Sequence, residues 1–305
     1  MSEVRVEFSL VDVFTQTRFA GNQVAVIHDA TALSTAQMQD VAREFGFSET
    51  TFILPSQTQQ HTARVRIFTP LEEIPFAGHP NIGTAFVIAN TKTAARQMGD
   101  QGAFIFDEPG GDVTADIMRD GRVVIGAEIT APQPLKLLGH VDHEAMAQCL
   151  GLNSDQVLSD RIAPCVGSIR LPFAFVELTD LAALAAIECD ILAFREAARK
   201  GPATVDGFAI CAFVVEHSLK SHWSIRSRVM SPLGHPAEDP AAGSASGALA
   251  SLLAKDAQGG ASEFRIIQGV EMGRRSEIEV TVPSPSARVR IRGRCVFVGS
   301  GQMQI

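Results

Sequence analysis

Three short segments of the chain carry side chains that could move a proton or hold an anion. Ser48 and Glu49 lie in GFSETTF, His79 lies in GHP, and Asp239 lies in EDP. A carboxylate flanked by two phenylalanines could have a raised pKa and act as a general base, and histidine can exchange protons near neutral pH. On spacing alone, however, Glu49 is better explained as a solvated charge at the end of a helix.

The histidine and aspartate segments belong to a motif that occurs twice, about 160 residues apart. The first copy runs from Arg66 to Ala85 and the second from Arg228 to Ala245. With a two-residue shortening of the second copy, the matched pairs are His79 with Asp239, Pro80 with Pro240, Gly83 with Gly243 and Thr84 with Ser244. A duplicated domain has a cleft between its halves, and these polar groups could face it.

Each copy of the motif also has the features of a helix start. Proline is expected at the first helical position, and Asp239 would cap the second helix. The predicted helices run from about residue 81 to 90 and from about 240 to 254. Free amides near Gly83 and Gly243 would then attract an anion. For one copy alone, a simple capped helix is the preferred interpretation, but two copies in one register favour a function.

The length and the repeat predict two domains in this chain of 305 residues. We place them at residues 1–129 and 130–305, joined by the proline-containing stretch 130–134, with the last strand free to return to the first half. Each half has many short strand patterns and two helices. One helix in each half is apolar on every side, as in FVIA and ASGALASLLA, and such a helix belongs inside a sheet or barrel.

Composition excludes several classes of protein. The net charge of −8 argues against nucleic-acid binding, which needs a basic face. No apolar run approaches the roughly 18 residues that span a bilayer, and the first residues alternate like a strand rather than a signal peptide. Five cysteines without C-x-x-C spacing indicate reduced thiols in a cytoplasmic protein.

A metal site and the common catalytic motifs are also disfavoured. His140 and His143 have helical spacing for a metal pair, but the sequence places no third ligand near them. The G-x-S-x-G, Walker and Rossmann motifs do not occur. The absence of these motifs lowers the expectation of a hydrolase, a nucleotide enzyme or a dinucleotide enzyme, and the predicted helix starts favour a small anionic substrate.

Four segments together resemble the PhzF-like family, the phenazine-biosynthesis isomerases, within the wider diaminopimelate-epimerase fold. They are FTPLEEIPFAGHPNIGTA, EDPAAGSASG, GFSETTF and IIQGVEMGRRS, and the similarity extends from Gly21 through the last strand. The resemblance implies an α/β (α+β) fold of two pseudo-symmetric halves, each a curved, mostly antiparallel sheet or barrel around a buried central helix. It also implies a homodimer and an active site between the halves.

The resemblance implies a role for each candidate residue. Glu49 would take a proton from one ring carbon of a substrate like trans-2,3-dihydro-3-hydroxyanthranilate and return it to another. His79 and Asp239 would bind and polarise the substrate beside this catalytic glutamate. The substrate-binding residues would be Ser48, Gly78, Gly243 and Ser244, and neither a metal nor an organic cofactor would take part.

Two other functions remain open at this point. An amino-acid racemase or epimerase of the same fold would resemble its relatives in carrying one cysteine in the loop of each half, and neither loop of this chain contains one. A non-catalytic metabolite-binding relative is opposed by the joint presence of Glu49, His79, Asp239 and Ser244. Ala242 stands where the family pattern has threonine, which bears on the identity of the substrate more than on the fold.

Overall fold

The structure is a computed structural model that describes residues 4–91, 103–219, 221–234, 236–255 and 261–305. By their mutual contacts the residues divide into two compact units. The first unit comprises Met1–Pro132 together with Ile291–Ile305, and the second comprises Gln133–Arg290. The first unit is therefore discontinuous in sequence, because the chain returns to it for its last strand.

The described part of the first unit is a ring of eight strands around one helix. In chain order its elements are β1 (Arg5–Val13), β2 (Asn22–Ile27), α1 (Thr35–Phe45), β3 (Glu49–Leu54), β4 (Ala63–Phe68), β5 (Glu73–Ile74), α2 (Gly78–Asn90), β6 (Ala103–Asp107), β7 (Val113–Asp120), β8 (Val123–Thr130) and, after the second unit, β18 (Arg290–Gln304). Neighbouring strands pair in the order β1, β2, β3, β4, β6, β7, β8, β18, and β18 pairs with β1 to close the ring.

Helix α2 lies inside this ring because its sequence has no polar face. Every residue from Gly78 to Ile88 is buried, and the helix packs against β1, β2, β3, β7 and β8. A Cβ atom at Gly83 would lie 2.6 Å from Cγ1 of Val24, so the missing side chain lets α2 approach β2 closely. The buried hydroxyl of Thr84 shares a 2.8 Å hydrogen bond with that of Thr51. The predicted burial of this helix is confirmed.

Helix α1 leads the chain to the start of β3. Ser34 caps it through a capping box with Gln37. The helix ends at Gly46, which adopts a left-handed conformation (φ 63°) that glycine accepts without strain. Two residues later the chain reaches Ser48, and β3 begins at Glu49. A capped helix and a glycine turn thus fix where this glutamate enters the sheet.

The second unit has a similar sequence of elements. They are β9 (Lys136–His140), α3 (His143–Leu150), β10 (Val157–Leu158), β11 (Cys165–Ser168), β12 (Pro172–Leu178), α4 (Leu181–Ala185), α5 (Ile191–Lys200), β13 (Ile210–Leu219), β14 (His222–Met230), β15 (Glu238–Asp239), α6 (Gly243–Ala254), β16 (Ser262–Gln268) and β17 (Ser276–Val282). The main strands pair in the order β9, β11, β12, β13, β14, β16, β17. All residues of α6 are buried, and the helix packs against β11, β12, β16 and β17.

The two units repeat one pattern of pairing. In the first, β2–β3 is parallel, β3–β4 antiparallel and β4–β6 parallel, and α2 follows the short strand β5. In the second, β12–β13, β13–β14 and β14–β16 have the same directions, and α6 follows β15. This confirms the predicted α+β class with two pseudo-symmetric halves, each built around a buried helix. Across the described residues, no helix combines the length and apolar character that crossing a membrane would require.

Candidate active site

Glu49 is held at the first position of β3, within the first unit. Its backbone lies opposite Val24 of the parallel strand β2, and its side chain is 14% exposed. Ser48, directly before it, donates from Oγ to Oδ1 of Asn22 over 3.5 Å. Asn22 is itself buried at the start of β2. The loop that presents Glu49 is thus anchored to the neighbouring strand by a polar side chain.

His79 lies at the second position of α2 and contacts Glu49. Its Nε2 atom is 3.5 Å from Oε2 of Glu49 and 3.2 Å from the backbone oxygen of Gln23. Its Nδ1 atom is 3.4 Å from Nδ2 of Asn22. These partners indicate the tautomer with the proton on Nε2, which donates to the Gln23 oxygen while Nδ1 accepts from the Asn22 amide. The structure therefore brings Glu49, Ser48, His79 and Asn22 together.

His79 is a neutral imidazole at physiological pH. Burial lowers its pKa to about 3, and the hydrogen bond to the Gln23 backbone opposes that shift only in part. Burial therefore opposes the expected exchange of protons by His79 near neutral pH. The His79 ring and the Glu49 side chain contact each other as a neutral ring and a carboxyl group, since an ion pair would require a protonated ring.

We expect that replacement of His79 by glutamine makes the free energy of unfolding depend less on pH at acidic pH. The unfolded ring takes up a proton below its ordinary pKa of 6.5, whereas the folded ring stays neutral down to about 3. The unfolded state thus binds more protons between these values, so stability falls as the pH decreases through this window, by at most about 1.4 kcal/mol per pH unit. Urea unfolding of His79→Gln, with the exposed His217→Gln as control, measures the effect. Parallel curves for His79→Gln and the wild type would contradict it.

The N-cap residue of helix α2 has no side-chain acceptor for the first backbone amides of the helix. The N-cap residue is Ala77, which has no polar side-chain atom, and Gly78 and His79 are the first two helical residues. The first amides of a helix have no partner within it, and they carry the positive end of the helix dipole. Pro80 is the third helical residue rather than the first, and the helix begins three residues before the predicted start near residue 81. Gly78 therefore lies at the helix start, whereas Gly83 lies further along it and packs against β2.

The corresponding helix start in the second unit also has an alanine N-cap. Helix α6 begins at Gly243, with Ser244 as its second residue and Ala242 as its N-cap. Asp239 belongs to β15, where it pairs with Val229, and its Oδ1 atom accepts from the amide of Ala241 over 3.2 Å. The prediction that Asp239 caps this helix is wrong, because the helix starts four residues later.

Two arginine–glutamate pairs establish how the repeats correspond. In the first unit, Arg66 binds both carboxylate oxygens of Glu73, with Nε–Oε1 at 2.7 Å. In the second, Arg228 binds both oxygens of Glu238, with Nε–Oε1 and Nη2–Oε2 each at 2.8 Å. Each pair joins equivalent strands, β4 to β5 and β14 to β15. Glu73 and Glu238 therefore occupy the same place in the repeat.

This correspondence corrects the alignment of the two motifs. Gly78 follows Glu73 by five positions, and Gly243 follows Glu238 by five positions. The structural partner of His79 is therefore Ser244, and Asp239 corresponds to Ile74. The predicted pairing of His79 with Asp239 is wrong, because the longer turn lies before Glu238 in the second copy.

Glu49 has no acidic counterpart in the second unit. Ile210 pairs with Met230 as Thr50 pairs with Phe68, so the position before Ile210 is equivalent to Glu49. That position is Ala209, which is buried. The scaffold is repeated, but this carboxyl group is present in one copy.

Asn22 and Gln268 are site residues that the sequence interpretation missed. Gln268 donates from Nε2 to the backbone oxygen of Asp239 over 2.6 Å and accepts at Oε1 from the Ala242 amide over 3.3 Å. It thereby holds the segment that leads into α6. Both residues lie in polar positions at strand ends, in GNQ and IIQG, and these short polar signals were available in the sequence.

The cysteines do not provide a reactive thiol. All five are free, and burial raises the pKa of the Cys149 and Cys211 thiols to about 12. The N-cap positions of α2 and α6 are both alanine. The thiolate is the reactive form of cysteine, so these buried thiols are poor bases and nucleophiles.

The two histidines considered for metal binding lie in different elements, a strand and a helix. His140 ends β9, whereas His143 begins α3 and makes 2.9 Å contacts with Ser159 Oγ and the Ser154 backbone oxygen. The two residues do not share a helix, so their spacing in the sequence does not bring them to one metal ion. Within the described ranges, no group of three or more histidine, cysteine or acidic side chains is arranged to hold a metal ion.

The sequence is similar to named isomerases over nearly its whole length. An uncharacterized isomerase of Mesorhizobium japonicum is 37% identical over 309 residues, covering 98% of this chain and 98% of that one. The trans-2,3-dihydro-3-hydroxyanthranilate isomerase of Pseudomonas chlororaphis is 33% identical over 300 residues, covering 96% and 98%.

Solved structures support the same fold. A phenazine biosynthesis protein of the PhzF family from Bacillus anthracis matches with a TM-score of 0.82 at 20% identity, covering 99% of this chain and 100% of that one. A hydroxyproline epimerase from Agrobacterium vitis matches with a TM-score of 0.63 at 12% identity, covering 100% and 92%. At these identities the likeness shows the fold alone. The model of the PhzC-PhzF family, described as phenazine biosynthesis-like protein, matches residues 11–301. The chain therefore belongs to this family, and it is an isomerase.

Proposed function

We propose that this isomerase moves a proton between two carbons of a small unsaturated cyclic carboxylate, with Glu49 as its single acid and base. The observation that carries the proposal is the contact of Glu49 with the neutral ring of His79 at the start of α2. The substrate class is that of the dihydro-hydroxyanthranilate named for the relative from Pseudomonas chlororaphis.

Glu49 would act in both halves of the reaction. As a carboxylate it removes a proton from one ring carbon, which leaves the electron pair spread over the adjacent double bonds. As a glutamic acid it then delivers the same proton to a second carbon a few ångströms away. A base that has just accepted a proton is already placed to return it, so no second catalytic group is needed.

The surroundings of Glu49 suit this exchange. The Nε2 proton of His79 is donated to the Gln23 carbonyl oxygen, so the neutral ring would pack beside the glutamate without competing for its proton. The backbone amides of Gly78 and His79 lie at the positive end of α2 and would stabilise negative charge on the substrate carboxylate or the delocalised intermediate. Ser48 would contribute a hydroxyl group beside the base.

We assign Asp239, Gly243 and Ser244 to substrate binding from the second unit. Ser244 occupies the place that His79 has in the first unit, so it offers a hydroxyl group at the start of α6. Gly243 offers a backbone amide in the position of Gly78. Asp239 precedes this helix start, where its carboxylate would accept a hydrogen bond from an amino or hydroxyl substituent of the substrate.

Amino-acid epimerisation is the second candidate function, because the chain shares its fold with a hydroxyproline epimerase. That reaction needs one group to remove the α-proton and another to return it on the opposite face. The raised thiol pKa values and the alanines at both helix starts oppose a pair of cysteines in this role.

Deuterium incorporation separates these functions. The protein is incubated in deuterated water with trans-2,3-dihydro-3-hydroxyanthranilate and, separately, with a panel of amino acids. Isomerisation of the ring compound supports the proposal. Deuterium at the α-carbon of an amino acid would establish epimerisation instead, and turnover of neither class would reject both candidate substrate classes.

A further inference from the structure

Glu108 is a buried acidic residue that the proposed reaction does not use. It directly follows β6 in the first unit and is 5% exposed. Burial raises its pKa well above the ordinary value, a contact with the Asn81 amide opposes the shift, and the neighbouring Asp107 adds to it. No ion pair found between described residues includes Glu108. A buried carboxyl group without a cation is stable in its neutral form.

Strand register identifies the counterpart of Glu108 in the second unit. Continuing the parallel β4–β6 register by one residue places Glu108 beside Val65, and Ser227 pairs with Gln268 in the parallel β14–β16 ladder. Val65 and Ser227 each directly precede the arginine of the bidentate pair. Glu108 therefore occupies the place of Gln268.

The turns after these two residues give a second, independent correspondence. A Cβ atom at Gly110 would lie 2.4 Å from the backbone oxygen of Pro75, and a Cβ atom at Gly269 would lie 2.6 Å from that of Pro240. Each proline lies three residues before the glycine that begins the buried helix. Both turns thus pack against the same point of the segment that leads into the helix.

The hydrogen bonds of Gln268 show which donor and acceptor groups are used at the position that it shares with Glu108. Its amide donates one hydrogen bond to the Asp239 oxygen and accepts one from the Ala242 amide. A neutral carboxylic acid also offers one donor and one acceptor, whereas a carboxylate offers acceptors only. A protonated glutamic acid is therefore the closest acidic equivalent of this glutamine.

When Glu108 is a carboxylate, the buried oxygen atoms of Glu108 and Asn81 have too few hydrogen-bond donors around them. Both of its oxygens and Oδ1 of Asn81 are buried without a hydrogen-bond partner, although the two side chains are in contact. A proton on Glu108 would add a donor beside these buried oxygen atoms, while the Asn81 amide can still donate to the carboxyl group. The amide nitrogen of Asn81 donates to the Ala77 oxygen over 3.0 Å. The chain of contacts thus ends at the residue that precedes Gly78 and His79.

We propose that Glu108 is a protonated positioning residue, which serves the start of α2 as Gln268 serves the start of α6. Through Asn81 and Ala77 it fixes the backbone amides of Gly78 and His79. Its effect on turnover rests on the proposed function, whereas its protonation and its effect on stability do not.

The first experiment compares the pH dependence of stability in Glu108→Gln, the wild type and the exposed control Glu44→Gln. A buried acid that stays neutral in the folded state but ionises in the unfolded state loses stability as the pH rises above its ordinary value of 4.5. Glutamine has no such loss. We expect the Tm of Glu108→Gln to match the wild type near pH 4.5 and to exceed it by about 2–4 °C at pH 8. Equal pH dependence of Glu108→Gln and the wild type would overturn the proposal.

The second experiment measures the proton and the positioning directly. An infrared difference spectrum between the wild type and Glu108→Gln should contain a protonated carboxyl band at neutral pH. In the deuterium assay, Glu108→Gln should keep kcat within about twofold, whereas Glu108→Leu should lower kcat/KM by about 10- to 100-fold. Rescue by glutamine but not by leucine distinguishes positioning from simple filling of space. An absent carboxyl band, or equal loss in both variants, would contradict the proposal. If no compound is turned over, the proposed function fails, while the Tm and infrared results still decide the state of Glu108.

Discussion

Replacement of Glu49 by glutamine is expected to lower kcat by about 10²- to 10⁴-fold while KM changes little. Glutamine has nearly the size of glutamate and keeps a polar side chain beside His79, so the local packing is retained. It cannot, however, accept the substrate proton and return it. Because the proposed mechanism has one base for both steps, deuterium exchange and product formation should fall together. Single-turnover kinetics with a dihydro-hydroxyanthranilate substrate measures both.

Glu44→Gln is the matched control for this substitution, since Glu44 is an exposed carboxylate on α1, close in sequence. It should behave as the wild type in kcat and KM. A Glu49→Gln enzyme that keeps more than about a tenth of the wild-type kcat would show that another group carries the proton. Loss of product formation with retained deuterium exchange would show that a second acid completes the reaction, which would remove the one-base mechanism.

The second large effect is expected on stability, from Glu238→Gln. Arg228 is 9% and Glu238 16% exposed at the side chain, so the substitution leaves a buried guanidinium group facing an uncharged amide. Removing one partner of a buried ion pair costs about 3–5 kcal/mol, and we expect the lower end because one hydrogen bond can persist. The contacts of Arg228 Nη1 with the backbone oxygens of Leu184 and Ala185, at 3.0 and 3.5 Å, do not replace the lost charge.

The first unit provides a built-in comparison, Glu73→Gln. Arg66 and Glu73 are 14% and 28% exposed, so water compensates more of the lost interaction, and we expect about 1–2 kcal/mol. Hydrogen exchange followed by mass spectrometry in increasing urea reports each unit separately. An effect of Glu73→Gln as large as that of Glu238→Gln would show that burial does not set the difference between the two pairs.

The fold was predictable where one physical signal dominated the local sequence. Helix α2 is apolar on all sides, and no surface position could accommodate it, so its burial followed from composition. Ser34 and Gly46 delimit α1 through capping preferences that depend on a few adjacent residues. The family resemblance supplied the pseudo-symmetric arrangement of the halves, which the strand patterns alone did not determine.

The register between the repeats was not predictable from residue identities. Glu73 follows Leu71 by two positions, whereas Glu238 follows Leu233 by five, and the shared prolines and glycines favoured a gap elsewhere. Only the paired strands and the arginine contacts show which glutamate matches which. The same limit applies to Asp239, whose position before a proline is typical of a helix cap but whose backbone continues as a strand.

The protonation state of His79 also depends on information that the sequence lacks. Its pKa is set by complete burial and by the partners on β2, which are more than fifty residues away in the chain. A histidine in a turn and a histidine in a closed barrel have the same sequence signal. Desolvation, and not the residue type, decides whether this ring carries charge.

The position of β18 has a consequence for how the chain is made. Residues 5–13 of β1 must wait for residues 295–304 before they gain their partner on that side, and the whole second unit is synthesised in between. On the ribosome, the second unit has its complete sequence first, while the earlier-made unit exposes the unpaired edges of β1 and β8. Unpaired edges of this kind invite association with other chains. Nascent chains stalled before residue 291 should therefore bind chaperones through the first unit, and release of the last strand should end that binding.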